Sequence, residues 1–126
     1  LPVIDADALQ MRQLLQNLLG NALKYRRKDT PLVVQLSCSS PGGQHCTITV
    51  TDNGIGFNEK QGEKIFRMFV RLHGRAQYEG SGIGLAICRR IVERHGGTIA
   101  ATSTAGQGAT FTVTLPVTQA ATGYLP

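Results

Sequence analysis

No run of the roughly 18 consecutive apolar residues that a membrane helix requires occurs in the 126-residue sequence. The start, Leu1-Pro2-Val3-Ile4-Asp5, has neither the charged region nor the long apolar run of a signal peptide. An initiating methionine is also lacking, so a piece of a longer chain is expected. Charged residues are few, 17%, against 41% hydrophobic, which excludes a charge-driven disordered chain and supplies material for a core. Two domains cut from this length would each sit near the lower size limit, so one domain is expected. The 3 cysteines, Cys38, Cys46 and Cys88, form no CxxC pair and no metal-ligand spacing. They read as small buried hydrophobes in a reduced, cytoplasmic setting. There is no internal repeat.

What is present begins with charge. Lys and Arg number 13 against 8 Asp and Glu, a net +5. Such a balance suits nucleic acid, an acidic membrane surface or a polyanionic small ligand. The basic residues are scattered apart from Arg26-Arg27-Lys28, and Tyr25 and Tyr78 stand too far apart for a stacking platform. Neither a nucleic-acid partner nor membrane contact is expected. The Arg26–Lys28 run is read as complementing a helix C-terminus.

Asp7 is an N-cap type before a helical period running to about Arg27, with Met11, Leu14, Leu15, Leu18 and Ala22 on one face. Gln13, Gln16 and Gly20 lie opposite. Asn17, Asn21 and Lys24 fall together on one flank of the apolar stripe, an odd choice for a solvated face. Leu32–Ser39 and His45–Thr51 read as strands around a Ser40-Pro41-Gly42-Gly43 turn. Cys46, Ile48 and Val50 share one side of the second, and Asp52 has their parity. A carboxylate aimed coreward needs a dedicated donor. Glu59–Val70 suggests one or two short helices, and Leu72–Gly84 a long glycine-rich loop of the kind that serves as a lid. Ile83–His95 reads as a helix ended by Gly96-Gly97, and Thr98–Thr102 and Ala109–Val117 as the last strands. His45 and His95 read as structural, at a strand start and a helix end. The order predicts a two-layer α/β sandwich, a mixed, mostly antiparallel sheet covered on one face by helices, over 1–117, with an unstructured tail at 118–126.

Two stretches carry chemistry. Asp52-Asn53-Gly54-Ile55-Gly56 sets an acid before two spaced glycines, and Gly80-Ser81-Gly82-Ile83-Gly84-Leu85 sets three alternate glycines directly before a helix. Backbone that approaches a ligand closely and feeds free helix N–H groups suits phosphate. Neither the dinucleotide fingerprint nor a P-loop is present. With Asn17–Tyr25 and Gly106–Phe111, these motifs in this order resemble the ATP-binding catalytic domain of sensor histidine kinases. That family has the Bergerat fold, shared with type II topoisomerases, the ninety-kilodalton heat-shock chaperones and mismatch-repair ATPases. The resemblance covers about Leu1 to Pro116, with Phe66–His73 similar to the family's F-box. Phe69–Gly97 is similar to kinases related to bacterial phytochromes.

The resemblance implies Mg-ATP as ligand. Asp52 would accept from the adenine amino group, and Gly54 and Gly56 would let backbone approach base and sugar. Asn21 would complete the shell of Mg²⁺, with Asn17 supporting it or touching phosphate. Lys24 and Arg71 would neutralise phosphates, with Asn21, Lys24 and Arg71 serving the transfer itself. Tyr25 would pack near the base, and Thr110 would reach the adenine region through its hydroxyl or a water. Gly80, Ser81, Gly82, Ile83, Gly84 and Leu85 would close lid and helix N-terminus on the triphosphate, with Phe66 and Phe69 anchoring the lid. His73 is read as a surface residue. The acceptor histidine would lie on a separate dimerisation domain, and a response regulator would take the phosphoryl group onward. This fragment is expected to be a monomer. The alternatives are a degenerate nucleotide-binding or interaction module without phosphotransfer, a serine kinase of the same fold, and a topoisomerase-type ATPase. The last is disfavoured because Asn17–Tyr25 contains no acid.

Overall fold

The computed structural model describes residues 6–40, 42–58, 64–66, 83–103 and 106–118. Helix α1 (Ala8–Lys24) begins where Asp7 accepts the Gln10 N–H, at 3.0 Å. It ends three residues before the expected Arg27. There Tyr25 leaves helical geometry, its carbonyl accepts the Ile55 N–H at 3.0 Å, and Arg27 Nε donates to Gly54 O at 3.3 Å. Tertiary bonds to a neighbouring turn thus outcompete one more helical turn.

Strands β1 (Val34–Ser39) and β2 (His45–Asp52) form a hairpin. A short 3₁₀ helix (Lys64–Phe66), helix α2 (Ile83–Arg94) and strands β3 (Thr98–Ser103) and β4 (Ala109–Pro116) follow. The sheet order is β1-β2-β4-β3, and every described pairing is antiparallel. β1 starts at Val34 rather than Leu32 because Asn53 replaces a strand neighbour there. Its Oδ1 accepts the Val33 N–H at 2.9 Å and its Nδ2 donates to Pro31 O at 3.0 Å.

Both helices lie on one face of the sheet. Leu14 and Leu18 of α1 and Cys88, Ile91 and Val92 of α2 pack on Val50, Phe111, Val113 and Leu115. Each such large apolar side chain contributes about 1.5–3 kcal/mol on burial. Phe66 is buried with them and meets Phe111 edge-on, with ring centroids 6.2 Å apart. Of the three cysteines, Cys46 and Cys88 are buried and Cys38 is half-buried.

The helices run antiparallel and are tied along their length. At one end His95, 1% exposed, accepts the Asp7 N–H on Nε2 at 3.1 Å and donates from Nδ1 to Ile91 O at 2.8 Å. That pair of partners places the proton on Nδ1. Midway, Cys88 Sγ donates to Leu14 O at 3.8 Å. At the other end Asn17 faces Gly84. The N-terminus of α2 therefore opens beside the middle of α1, above the Asp52 end of the sheet.

Candidate functional site

β2 continues through Asp52, so its carboxylate keeps the parity of Cys46 and Val50 and turns to the helix-covered face. Burial pushes the Asp52 pKa up, and N–H groups of Gly54 and Ala109 pull it back without cancelling the shift. The Gly54 N–H donates to Oδ1 at 2.8 Å, which is the dedicated donor that an inward carboxylate needs. Only glycine fits at 54, because a Cβ would lie 2.6 Å from Tyr25 O and 2.9 Å from Asp52 Oδ1. Gly108 is under a second constraint: its φ is +88°, and a Cβ would run into Asp52 O. The Gly106 N–H donates to Ile55 O at 2.6 Å, and Ser103 Oγ joins Phe57 N–H to Gly108 O. Asp52 and its turn are thus held from both sides.

An open cleft lies between this turn, α1 and the start of α2. Asp52, Gly56, Phe57, Ala109 and Phe111 form one end of it, joined by Tyr25. Gly84 and Leu85 line it at the first turn of α2, whose leading N–H groups have no partner within the helix and favour an anion. Along the wall between them α1 presents Asn17, Asn21 and Lys24, the flank that its helical spacing marks out. The Asn17 Nδ2 is buried on the rim of this anion-favouring site, where the Asn17 side chain interacts weakly with the Cys88 thiol and its Nδ2 makes no other hydrogen bond among the described residues. The cleft is an apolar slot with one acid at one end and donors, a lysine and a helix dipole toward the other.

Other expected residues stand differently. Gly54 supports Asp52 from behind rather than lining the cleft. Thr110 is a correction. β4 buries Ala109, Phe111, Val113 and Leu115, so Thr110 projects from the opposite face, where its Oγ1 lies 3.2 Å from Thr51 Oγ1. It borders a second hollow with Thr102 and Gln107, which shares Asp52 and Ala109 with the cleft, and in the ladder Ala109 stands opposite Asp52. Arg71, Gly80, Ser81 and Gly82 lie outside the described residues, as do Phe69 and His73; Ile83 is described only as the first residue of α2. Six lining residues escape the sequence reasoning: the apolar Phe57, Ile65, Ala109 and Phe111 and, on α1, Gln16 and Gly20. The two on α1 sit away from the apolar stripe and read as solvated. Their i, i+4, i+8 spacing with Lys24 was the available signal.

Among the described residues no helix is long and apolar enough to cross a membrane. No group of three His, Cys, Asp or Glu among them could hold a metal ion.

The sequence matches the family described as histidine kinase-, DNA gyrase B- and HSP90-like ATPase over residues 6–119. It is 42% identical over 118 residues to cyanobacterial phytochrome A of Nostoc sp. (strain PCC 7120), covering 93% of this chain and 15% of that protein. It is 43% identical over 119 residues to the adaptive-response sensory kinase SasA of Synechococcus sp. (strain JA-3-3Ab), covering 93% of this chain and 30% of the kinase. The chain therefore spans less than a third of these relatives. Among solved structures, full-length ShkA in complex with AMPPNP superposes with a TM-score of 0.79 at 34% identity, over 98% of this chain and 25% of ShkA. The nucleotide-free catalytic domain of the histidine kinase ThkA gives a TM-score of 0.75 at 28% identity, over 91% of this chain and 72% of that domain. The chain belongs to the histidine kinase-, DNA gyrase B- and HSP90-like ATPases, and within them it has the fold of a histidine kinase catalytic domain.

Proposed function

We propose that residues 1–117 are the ATP-binding catalytic domain of a sensor histidine kinase, holding Mg-ATP for transfer to a histidine on a separate dimerisation domain. The observation that carries this reading is the inward Asp52 carboxylate, braced by Gly54, at one end of a cleft whose other end is a helix N-terminus. Asp52 accepts a hydrogen bond from the adenine amino group, which offsets the cost of burying the carboxylate. Gly56, Phe57, Ala109 and Phe111 enclose the base, and Tyr25 packs beside it. The phosphates run along α1 toward α2, met by Lys24, the Asn17 amide and the N–H groups at Ile83, Gly84 and Leu85. Arg71, Gly80, Ser81 and Gly82 join this set on the strength of sequence. Thr110, on the far face, does not.

The residues fit a magnesium ion brought in with the phosphates. No carboxylate cluster among the described residues would trap a bare cation, while Asn21 offers the cleft a hard amide oxygen. When bound, the ion offsets charge on the phosphate oxygens. The chain's own work is positioning and neutralisation: the γ-phosphoryl group leaves ADP and joins an imidazole nitrogen delivered by the acceptor domain. No general base is assigned on this chain. Because Asn17–Tyr25 contains no acid, little intrinsic ATP hydrolysis is expected. A response regulator is the onward acceptor, and the cytoplasm is the compartment that supplies ATP.

Calorimetric titration with ATP and GTP, with and without Mg²⁺, tests this. Adenine-selective binding strengthened by Mg²⁺ is expected. Equal affinity for ATP and GTP removes the role given to Asp52, and no binding of either removes the nucleotide site.

A further inference from the structure

Resting on that nucleotide reading, the geometry points to a second phosphate rail on α1, made by Gln16 and Lys24 with Gly20 as the gap between them. The three residues all line the cleft, and their i, i+4, i+8 spacing places them in one row along the helix. Gln16 and Lys24 are about 12 Å apart along the axis at 1.5 Å per residue, and the Lys24 side chain, leaning toward the helix N-terminus, comes over Gly20 from one side while Gln16 stands one turn beyond it. One carries an amide with two donors and the other an ammonium with three. Both suit phosphate oxygens. This row runs beside the Asn17–Asn21 row, one residue round the helix.

Gly20 is what admits a ligand between them. A helix interior is an unfavourable place for glycine, and packing among the described residues gives no reason for one here. Among them a Cβ at position 20 would meet nothing within 4 Å, and no positive φ is recorded there. Alanine would therefore fit the folded chain and favour its helix. The space that a larger side chain would fill belongs to the cleft. Gly20 thus lets a phosphate come down onto the helix surface, within reach of Gln16 and Lys24.

The test is a graded series, Gly20→Ala and Gly20→Leu, with Gln16→Ala beside it. Melting temperature and the affinities for ATP and adenosine are measured for each. Gly20→Ala should raise the melting temperature by roughly 2–5 °C while weakening ATP binding about threefold, and Gly20→Leu should weaken it more than about thirtyfold. Gln16→Ala should weaken ATP about fivefold. Adenosine affinity should stay unchanged in all three, since the base end is untouched. Two results would overturn the rail: ATP affinity in Gly20→Leu within twofold of the parent, or equal losses of ATP and adenosine. If the parent chain binds no ATP, the nucleotide reading falls and the rail with it. If the parent binds and the series is flat, only the rail falls.

Discussion

The two faces of the sheet are built from neighbouring residues and do unrelated work. Along β4, Ala109, Phe111, Val113 and Leu115 point under the helices, while Thr110, Thr112 and Thr114 point away. On the open face these threonines pair across the ladder with Thr47, Thr49 and Thr51 on one side and with Thr98, Ala100 and Thr102 on the other. That gives an uncharged array of small β-formers. The covered face carries the core and, at its end, the Asp52 carboxylate. A shift of one residue moves a side chain from a site where each atom is constrained to a surface that tolerates change. Parity, more than closeness in sequence to a motif, decides which residue faces the helix-covered side of the sheet.

That contrast can be broken in stability first. Leu115→Ala on the covered face should cost about 3 kcal/mol, read from the denaturant midpoint. Thr112→Ala on the open face should change stability by no more than about 0.5–1 kcal/mol. Comparable losses for the two would mean that the faces are not unequal.

The second prediction concerns pH. Burial raises the Asp52 pKa, so the folded chain holds that proton more tightly than the unfolded chain does. Its contribution is therefore most favourable in acid and is lost as pH rises above 3.8 through the raised value, after which it is level. Asp52→Asn should remove this slope. The stability of the variant relative to the parent should increase with pH across that window, and a constant difference would refute the assignment. The same variant should lose ATP selectivity, since an amide no longer presents a bare carboxylate to the base.

The smallest effect is chemical. Burial pushes the Cys88 thiol up to about 12, and burial with a nearby Cys38 raises that of Cys46. Alkylation of the native chain near neutral pH should modify Cys38 first, with Cys46 and Cys88 reacting only on unfolding. Early labelling of Cys88 would show that the α1–α2 contact opens readily.

Much of this was legible beforehand. Helical spacing set Asn17, Asn21 and Lys24 on one flank, and strand alternation turned Asp52 inward; both follow from backbone periodicity alone. The same alternation in Ala109–Pro116 argues against Thr110, yet the motif around it drew the hydroxyl into the site. Gln16 and Gly20 were hidden for another reason. A helical wheel separates core from solvent, but a cleft that opens along a helix reaches residues on its polar side. Asn53 carried no periodic signal, because its bonds to residues 31 and 33 depend on how two distant segments meet.

The most direct measurement of the central claim is a side-by-side titration of the parent chain, Asp52→Ala and Thr110→Ala with Mg-ATP. These two positions sit on neighbouring paired rows of β2 and β4 but on opposite faces of the sheet. The account predicts a loss of more than about a hundredfold for Asp52→Ala and affinity within about twofold of the parent for Thr110→Ala. Near-normal binding by Asp52→Ala, or an equal loss in Thr110→Ala, would contradict it.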